Sequence, residues 1–334
     1  MPPPPEASNA PAIRRIVMLD ALSEANQRRL IAMLEPGFEL VVARQRNDAH
    51  LRELIADADY AITGQVPVPA GLLAAAARLK LLHKWGVGVD NIDLDAARAR
   101  GIVVARTTGG NAIPVAEYTI GLMIATLRNL AWAHAELKRG HWSGDTVPHD
   151  ALMLHGRTVG LVGFGAIGQR VAMLLQAFGC RVLYTRQTVP AAPAPESGLQ
   201  ARPVPLDRLL AESDIVSLHC PLTAKTAGLI DRRALQSMKP HAVLINVARG
   251  GIVNEADLHW ALSNRVILGA ATDVFETEPV PADSPLLALD NLVVSPHLAA
   301  IAADNFAPTV GRILANFSRI ERGEPIPAHE QVVP

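Results

Sequence analysis

The chain has 334 residues, 49% of them apolar, with 31 Lys and Arg against 32 Asp and Glu. That length accommodates two domains of ordinary size, while the even charge balance and the 4% aromatic content argue against a nucleic-acid partner or a charged membrane surface. The two cysteines, Cys180 and Cys220, have neither a metal-ligand spacing nor a disulfide framework, so no metal is expected and a reducing, cytoplasmic compartment is.

In chain order, residues 1–11 are proline-rich without an apolar signal core and read as a disordered lead-in. No later apolar run is long enough to span a bilayer. Short β-branched runs at 13–19, 39–43, 60–64, 80–85 and 102–106 predict strands, with helices between them at 23–34, where Ser23 is the N-cap, and at 72–77. Residues 111–139 carry apolar positions at three- and four-residue spacing and predict one long helix between two domains. A second alternating series predicts strands at 158–164, 181–185, 214–220, 242–248, 267–274 and 292–297, with a Pro- and Ala-rich loop at 189–198. A last helix is predicted over 299–321, placed to return to the first domain. Strand and helix alternating in this way give an α/β fold of parallel βαβ units.

The segment VGFGAIGQR sets Gly163, Gly165 and Gly168 in GxGxxG spacing, after an apolar strand and at the start of a predicted helix over 166–178. In that context the first glycine allows a tight turn and the second lets a pyrophosphate approach the backbone. The third allows close helix–strand packing, and the helix N-terminus faces the anion. Phe164, Ala166 and Ile167 complete this candidate dinucleotide turn. About 20 residues on, where a carboxylate binds the ribose hydroxyls of NAD, the chain has Thr185, Arg186 and Gln187. A guanidinium grips a 2′-phosphate that a carboxylate would repel. NADP is therefore the expected cofactor, with NAD possible.

Three further strands end in polar residues, Arg249 in NVARGGIVNEADL, Asp273 and Glu278 in DVFETEP, and His297 in SPH. In a doubly wound sheet these ends share one side, where ligands collect. His83 and His219 lie in or at the end of strands, where local hydrogen bonding is the expected role.

With WGVGVDNID, VAEYTIGLM, GRTVGLVGFGAIG and HCPLT added to these motifs, the chain resembles the D-isomer-specific 2-hydroxyacid dehydrogenase family over almost its whole length. The resemblance implies two Rossmann-like domains: a doubly wound, parallel-sheet dinucleotide-binding domain at 107–298, inserted into a smaller flavodoxin-like substrate domain formed by 12–106 and 299–330. It implies Arg249 as the substrate arginine, Glu278 as carboxylate partner and His297 as acid/base, with Val87 and Gly88 offering backbone N–H groups to the substrate carboxylate. Val115, Cys220, Pro221, Thr226, Val247, Ala248, Arg249, Asp273 and His297 join the glycine turn around the cofactor, with Asp273 facing the nicotinamide carboxamide. The implied reaction moves hydride between NAD(P)H and C2 of a small 2-oxo acid, glyoxylate or hydroxypyruvate foremost. The alternatives are a phosphoglycerate-, formate- or phosphite-type dehydrogenase, or a dinucleotide-sensing corepressor. The implied assembly is a homodimer through the dinucleotide-binding domain, where Trp142 either shapes the neighbouring active site or is buried in the interface. Asn254, where the family often has Asp, is an equivalent helix N-cap.

Overall fold

The computed structural model describes residues 13–142, 151–186 and 198–334; the lead-in, Gln187 and residues 189–197 of the expected loop lie outside them. The chain divides into two compact units, Met1–Gly110 with Ala303–Pro334, and Asn111–Ala302.

The first unit opens with β1 (Arg14–Met18), α1 (Glu24–Ile31), β2 (Phe38–Val42), α2 (Asp48–Ile55), β3 (Tyr60–Thr63), α3 (Ala70–Ala75), β4 (Leu81–Lys84), α4 (Leu94–Ala99) and β5 (Val103–Arg106). Ser23 caps α1 by accepting from the Asn26 N–H, with Glu24 in the first turn and Arg28 and Arg29 in the last, each sign matching the helix dipole. Asn47 and Asp93 cap α2 and α4 in the same way. Every residue of β3 and β4 is buried, as central strands covered on both faces require.

The second unit begins with α5 (Ala112–Leu127) and α6 (Leu130–Lys138), which corrects the single helix predicted over 111–139. Asn129 sits between them in the left-handed region, at φ 53°. Asparagine is one of the few non-glycine residues that adopts this conformation readily, and it stops a helix there. There follow β6 (Thr158–Val162), α7 (Ala166–Ala177), β7 (Arg181–Thr185), β8 (Ala201–Pro203), α8 (Leu206–Glu212), β9 (Ile215–Leu218), α9 (Arg232–Ser237), β10 (Val243–Asn246), α10 (Glu255–Ser263), β11 (Gly269–Thr272) and β12 (Leu292–Val294). The seven strands lie in the order β12-β11-β10-β9-β6-β7-β8, all parallel. The chain winds outward from β6 to β8, then crosses back to β9, so the switch point lies between β6 and β9, where a doubly wound sheet opens a crevice.

The chain then returns to the first unit with α11 (Phe306–Glu321) and β13 (Gln331–Val333). The sheet there has the order β13-β5-β4-β3-β1-β2, parallel except for β13 on its edge. Phe306, Val310, Ile313, Leu314 and Phe317 of α11 join one core with Ile16, Met18, Tyr60 and Leu81. The helix starts seven residues later than predicted, after turns at residues 299–300 and 303–305.

His83 is buried, its Nδ1–H donating to Lys84 O at 3.0 Å and its Nε2 accepting from Asn316 at 3.1 Å. Burial pulls its pKa down to about 4, and pulls that of His219 down to about 3. Both are neutral in the folded chain but titrate near 6.5 when unfolded, so the unfolded state takes up protons first and stability falls as pH drops below about 6.5. Between pH 7.5 and 5 the two rings are expected to cost about 4 kcal/mol together, at ~1.4 kcal/mol per pH unit for each ring. Urea unfolding at the two pH values checks this; equal free energies would show that solvent protonates both rings in the fold.

Candidate active site

The glycine turn leaves β6 at the switch point. Gly163 has φ 104°, and its N–H donates to Thr185 O at 2.9 Å, which fastens the turn to the end of β7. A Cβ at Gly163 would lie 2.6 Å from the His219 carbonyl, and one at Gly168 would lie 2.5 Å from Gly163 O. Both positions therefore require glycine for packing. Gly165 differs: a Cβ there meets nothing within 4 Å, and no side chain caps α7, whose first turn holds Ala166, Ile167 and Gly168. An open glycine before uncapped helical N–H groups fits a pyrophosphate. Phe164 turns its ring into the core, stacked on Tyr184 with centroids 3.9 Å apart. Thr185 ends β7 and Arg186 follows it, both half-buried beside the turn.

After β9, Thr226 is buried; its hydroxyl donates to Pro221 O at 2.6 Å and accepts from Thr223 N at 2.8 Å. It thereby sets the shape of the 220–226 loop. Burial pushes the Cys220 thiol up to about 11. Val115 on α5 and Val247 after β10 lie in the hydrophobic core of this unit, with Ala248 half-buried beyond it.

The polar strand ends converge after β10, β11 and β12. Asn246 folds the first of these turns, accepting from Ala248 N at 3.1 Å and donating to Arg249 O at 2.9 Å. Arg249 is half-buried and donates to Ala248 O at 2.7 Å. The next residue, Gly250, lies against the loop after β11, where a Cβ would be 2.0 Å from the Phe275 carbonyl. That contact holds the Arg249 turn against the loop carrying Glu278. Glu278 accepts from Phe275 N at 3.0 Å and from His297 Nδ1 at 2.8 Å. Burial pushes the Glu278 carboxyl up, but the His297 hydrogen bond and charge, the Phe275 N–H and Arg249 outweigh it and hold it below the usual carboxylate range.

His297 has φ 56°, a left-handed conformation costly for a residue with a β-carbon, and its N–H donates to Asp273 O at 2.8 Å. Asp273 is fully buried, and its carboxylate accepts from Ser295 Oγ at 2.6 Å and from Leu298 N and Ala299 N at 2.8 Å each. These bonds make it the clamp of the turn that carries His297. Reading by sequence missed Asn246 and Ser295, although the neighbouring Arg249 and His297 marked both segments.

Val87 and Gly88 belong to the first unit, in the loop after β4. Among the described residues neither N–H has a protein acceptor. Also among the described residues, no three His, Cys, Asp or Glu side chains group as metal ligands, and no helix is long and apolar enough to cross a membrane.

This sheet order, the open glycine turn and the strand-end residues define a dinucleotide-binding α/β protein. The chain belongs to the D-isomer specific 2-hydroxyacid dehydrogenase family, whose NAD binding domain matches residues 120–299. It is 38% identical to D-3-phosphoglycerate dehydrogenase of Methanocaldococcus jannaschii over 93% of this chain and 58% of that one. The chain thus spans little more than half of that relative. It is 36% identical to glyoxylate reductase of Korarchaeum cryptofilum over 86% of this chain and 84% of that one. Among solved structures it is similar to the NADPH-dependent glyoxylate/hydroxypyruvate reductase of Sinorhizobium meliloti in complex with NADP and malonate, with a TM-score of 0.82 and 32% identity, covering 96% of this chain and 97% of that one.

Proposed function

We propose that the chain is a cytoplasmic NADPH-linked reductase of small 2-oxo acids, glyoxylate or hydroxypyruvate foremost, which in reverse oxidises D-2-hydroxy acids. The observation that carries this reading is the 2.8 Å bond between His297 Nδ1 and Glu278, on strand ends adjacent to the Arg249 turn. With Nδ1 tied to a carboxylate, Nε2 is the ring atom left to hold a proton for the carbonyl oxygen. The negative Glu278 stabilises the imidazolium that carries it. Arg249 offers a planar fork to the oxo acid and neutralises charge. Val87 and Gly88 donate their N–H groups to its carboxylate.

The unit Asn111–Ala302 holds the dinucleotide through residues 163–168, with Thr185 and Arg186 at the ribose. When bound, the nicotinamide supplies the hydride. Arg186 beside Gly163 supports NADP, as does the NADP complex of the Sinorhizobium relative. We assign dimerisation to the dinucleotide-binding unit. No residue of α6 is buried, and Leu130, Leu137 and Trp142 are 52%, 56% and 87% exposed.

A turnover panel of glyoxylate, hydroxypyruvate and 3-phosphohydroxypyruvate with NADPH and NADH tests the reading. A preference for the phosphorylated acid would make the chain a phosphoglycerate-type dehydrogenase. No turnover, with dinucleotide still bound, would make it a sensor.

Glu278→Gln is expected to shift the pH profile of reduction downward, because the amide brings no negative charge to the ring bonded to it. A pH profile of kcat/KM superimposable on the wild type would leave Glu278 a structural role only.

A further inference from the structure

We infer that Arg106 is a positioning residue for the substrate carboxylate, aiming the Val87–Gly88 backbone from behind; this rests on the reading of those two N–H groups given above. Strands β4 and β5 run in register, with Lys84 opposite Arg106, so the loop leaving β4 passes beside the end of β5. Two donors at that end hold two successive carbonyls of the loop. Thr107 N–H donates to Gly86 O at 3.0 Å, and Arg106 Nη1 donates to Val87 O at 3.3 Å.

In a planar trans peptide the C=O and the N–H point in opposite directions. The carbonyl of Gly86 shares its peptide with the N–H of Val87, and that of Val87 with the N–H of Gly88. Each N–H is therefore aimed away from the donor that holds its own carbonyl, and among the described residues neither meets an acceptor. Without Arg106 the Val87 carbonyl is free to rotate toward the substrate side, where it would repel a carboxylate.

The charge of Arg106 is available for this work. Among the described residues its side chain donates only to Val87 O, makes no ion pair, and has a buried Nε without a partner. The guanidinium polarises one peptide toward a bound anion on the far side of it. Nothing in the sequence motif marks this role, since Arg106 lies 18 residues beyond Gly88 and acts through its carbonyl neighbour.

Arg106→Met and Arg106→Lys in the full chain, loaded with NADPH, separate this role from a structural one. Oxalate, an unreactive dicarboxylate, is titrated calorimetrically alongside the kinetics. Arg106→Met is expected to weaken oxalate binding and raise the KM for the 2-oxo acid by about tenfold, the scale of one charge-assisted hydrogen bond. Its kcat should stay within about twofold and its NADPH affinity unchanged. Arg106→Lys, which keeps a cationic donor, should recover most of the loss. Arg106→Gln serves in place of the Met variant if that chain does not fold, and is expected to show a smaller loss. Wild-type oxalate affinity in the Met or Gln variant, with the parent turning over 2-oxo acids, would overturn the role of Arg106 and leave the proposed function standing. Equal losses in the Lys and Met variants would overturn it too. A parent that neither binds oxalate nor reduces any 2-oxo acid would bring down both.

Discussion

His297→Asn is expected to lower kcat for 2-oxo-acid reduction by about 10²- to 10⁴-fold, the usual contribution of a general acid. The substitution suits the backbone. His297 sits at φ 56°, and asparagine is among the residues that tolerate this region best, so the turn held by the Asp273 carboxylate keeps its form. The bond from residue 297 N to Asp273 O involves only the main chain and survives as well. What is lost is a ring nitrogen that can hold and release a proton. The amide can still reach toward Glu278, but it cannot be an acid. NADPH affinity, measured by fluorescence titration, should stay within a few-fold, because the glycine turn lies on other strands. Turnover within tenfold of the parent would remove His297 from the mechanism.

Arg186→Asp is expected to exchange the cofactor preference. The Gly163 N–H bonded to Thr185 O puts the end of β7 against the glycine turn, and on the proposed cofactor assignment the residue that follows faces the adenosine ribose. A hydrogen bond to a charged group contributes about 1.5–3 kcal/mol. The arginine is therefore expected to favour NADPH over NADH by about 10- to 100-fold in kcat/KM. Arg186→Ala removes that preference and leaves NADH kinetics nearly unchanged. Arg186→Asp goes further, repelling the 2′-phosphate and offering the ribose hydroxyls an acceptor, so NADH becomes the better cofactor. Added salt should weaken NADPH more than NADH in the parent, since the contact is only half-buried and a Debye length at 0.15 M is about 8 Å. Gln187, grouped with Thr185 and Arg186 in the sequence, lies outside the described residues. Equal kcat/KM values for both cofactors in the parent would refute the assignment of Arg186.

The sequence by itself determined the parts whose information is local. The central strands β3, β6, β9 and β10 are four or five residues long, largely apolar and buried throughout, and were legible because burial on both faces favours apolar residues. The caps at Ser23 and Asn254 were legible because the capping oxygen and the N–H that it accepts from are three residues apart. The GxGxxG turn was legible because its steric demands fall on residues five apart, and the segments carrying Arg249, Glu278 and His297 because each follows a recognisable strand. Tertiary structure alone decided the rest. The three-residue strands β8 and β13 are too short to show a period, and exist because a sheet edge pairs with them. The pattern predicts a helix from residue 299, yet α11 begins at Phe306, and the turn before it is fastened through the Leu298 and Ala299 N–H groups to the Asp273 carboxylate, 26 residues before Ala299. Arg106 reaches Val87, 19 residues earlier, only because β4 and β5 lie side by side. Local pattern encodes which face a residue turns to the core; which distant donor meets which acceptor follows from the order of strands in the sheet, and no spacing along the chain records it.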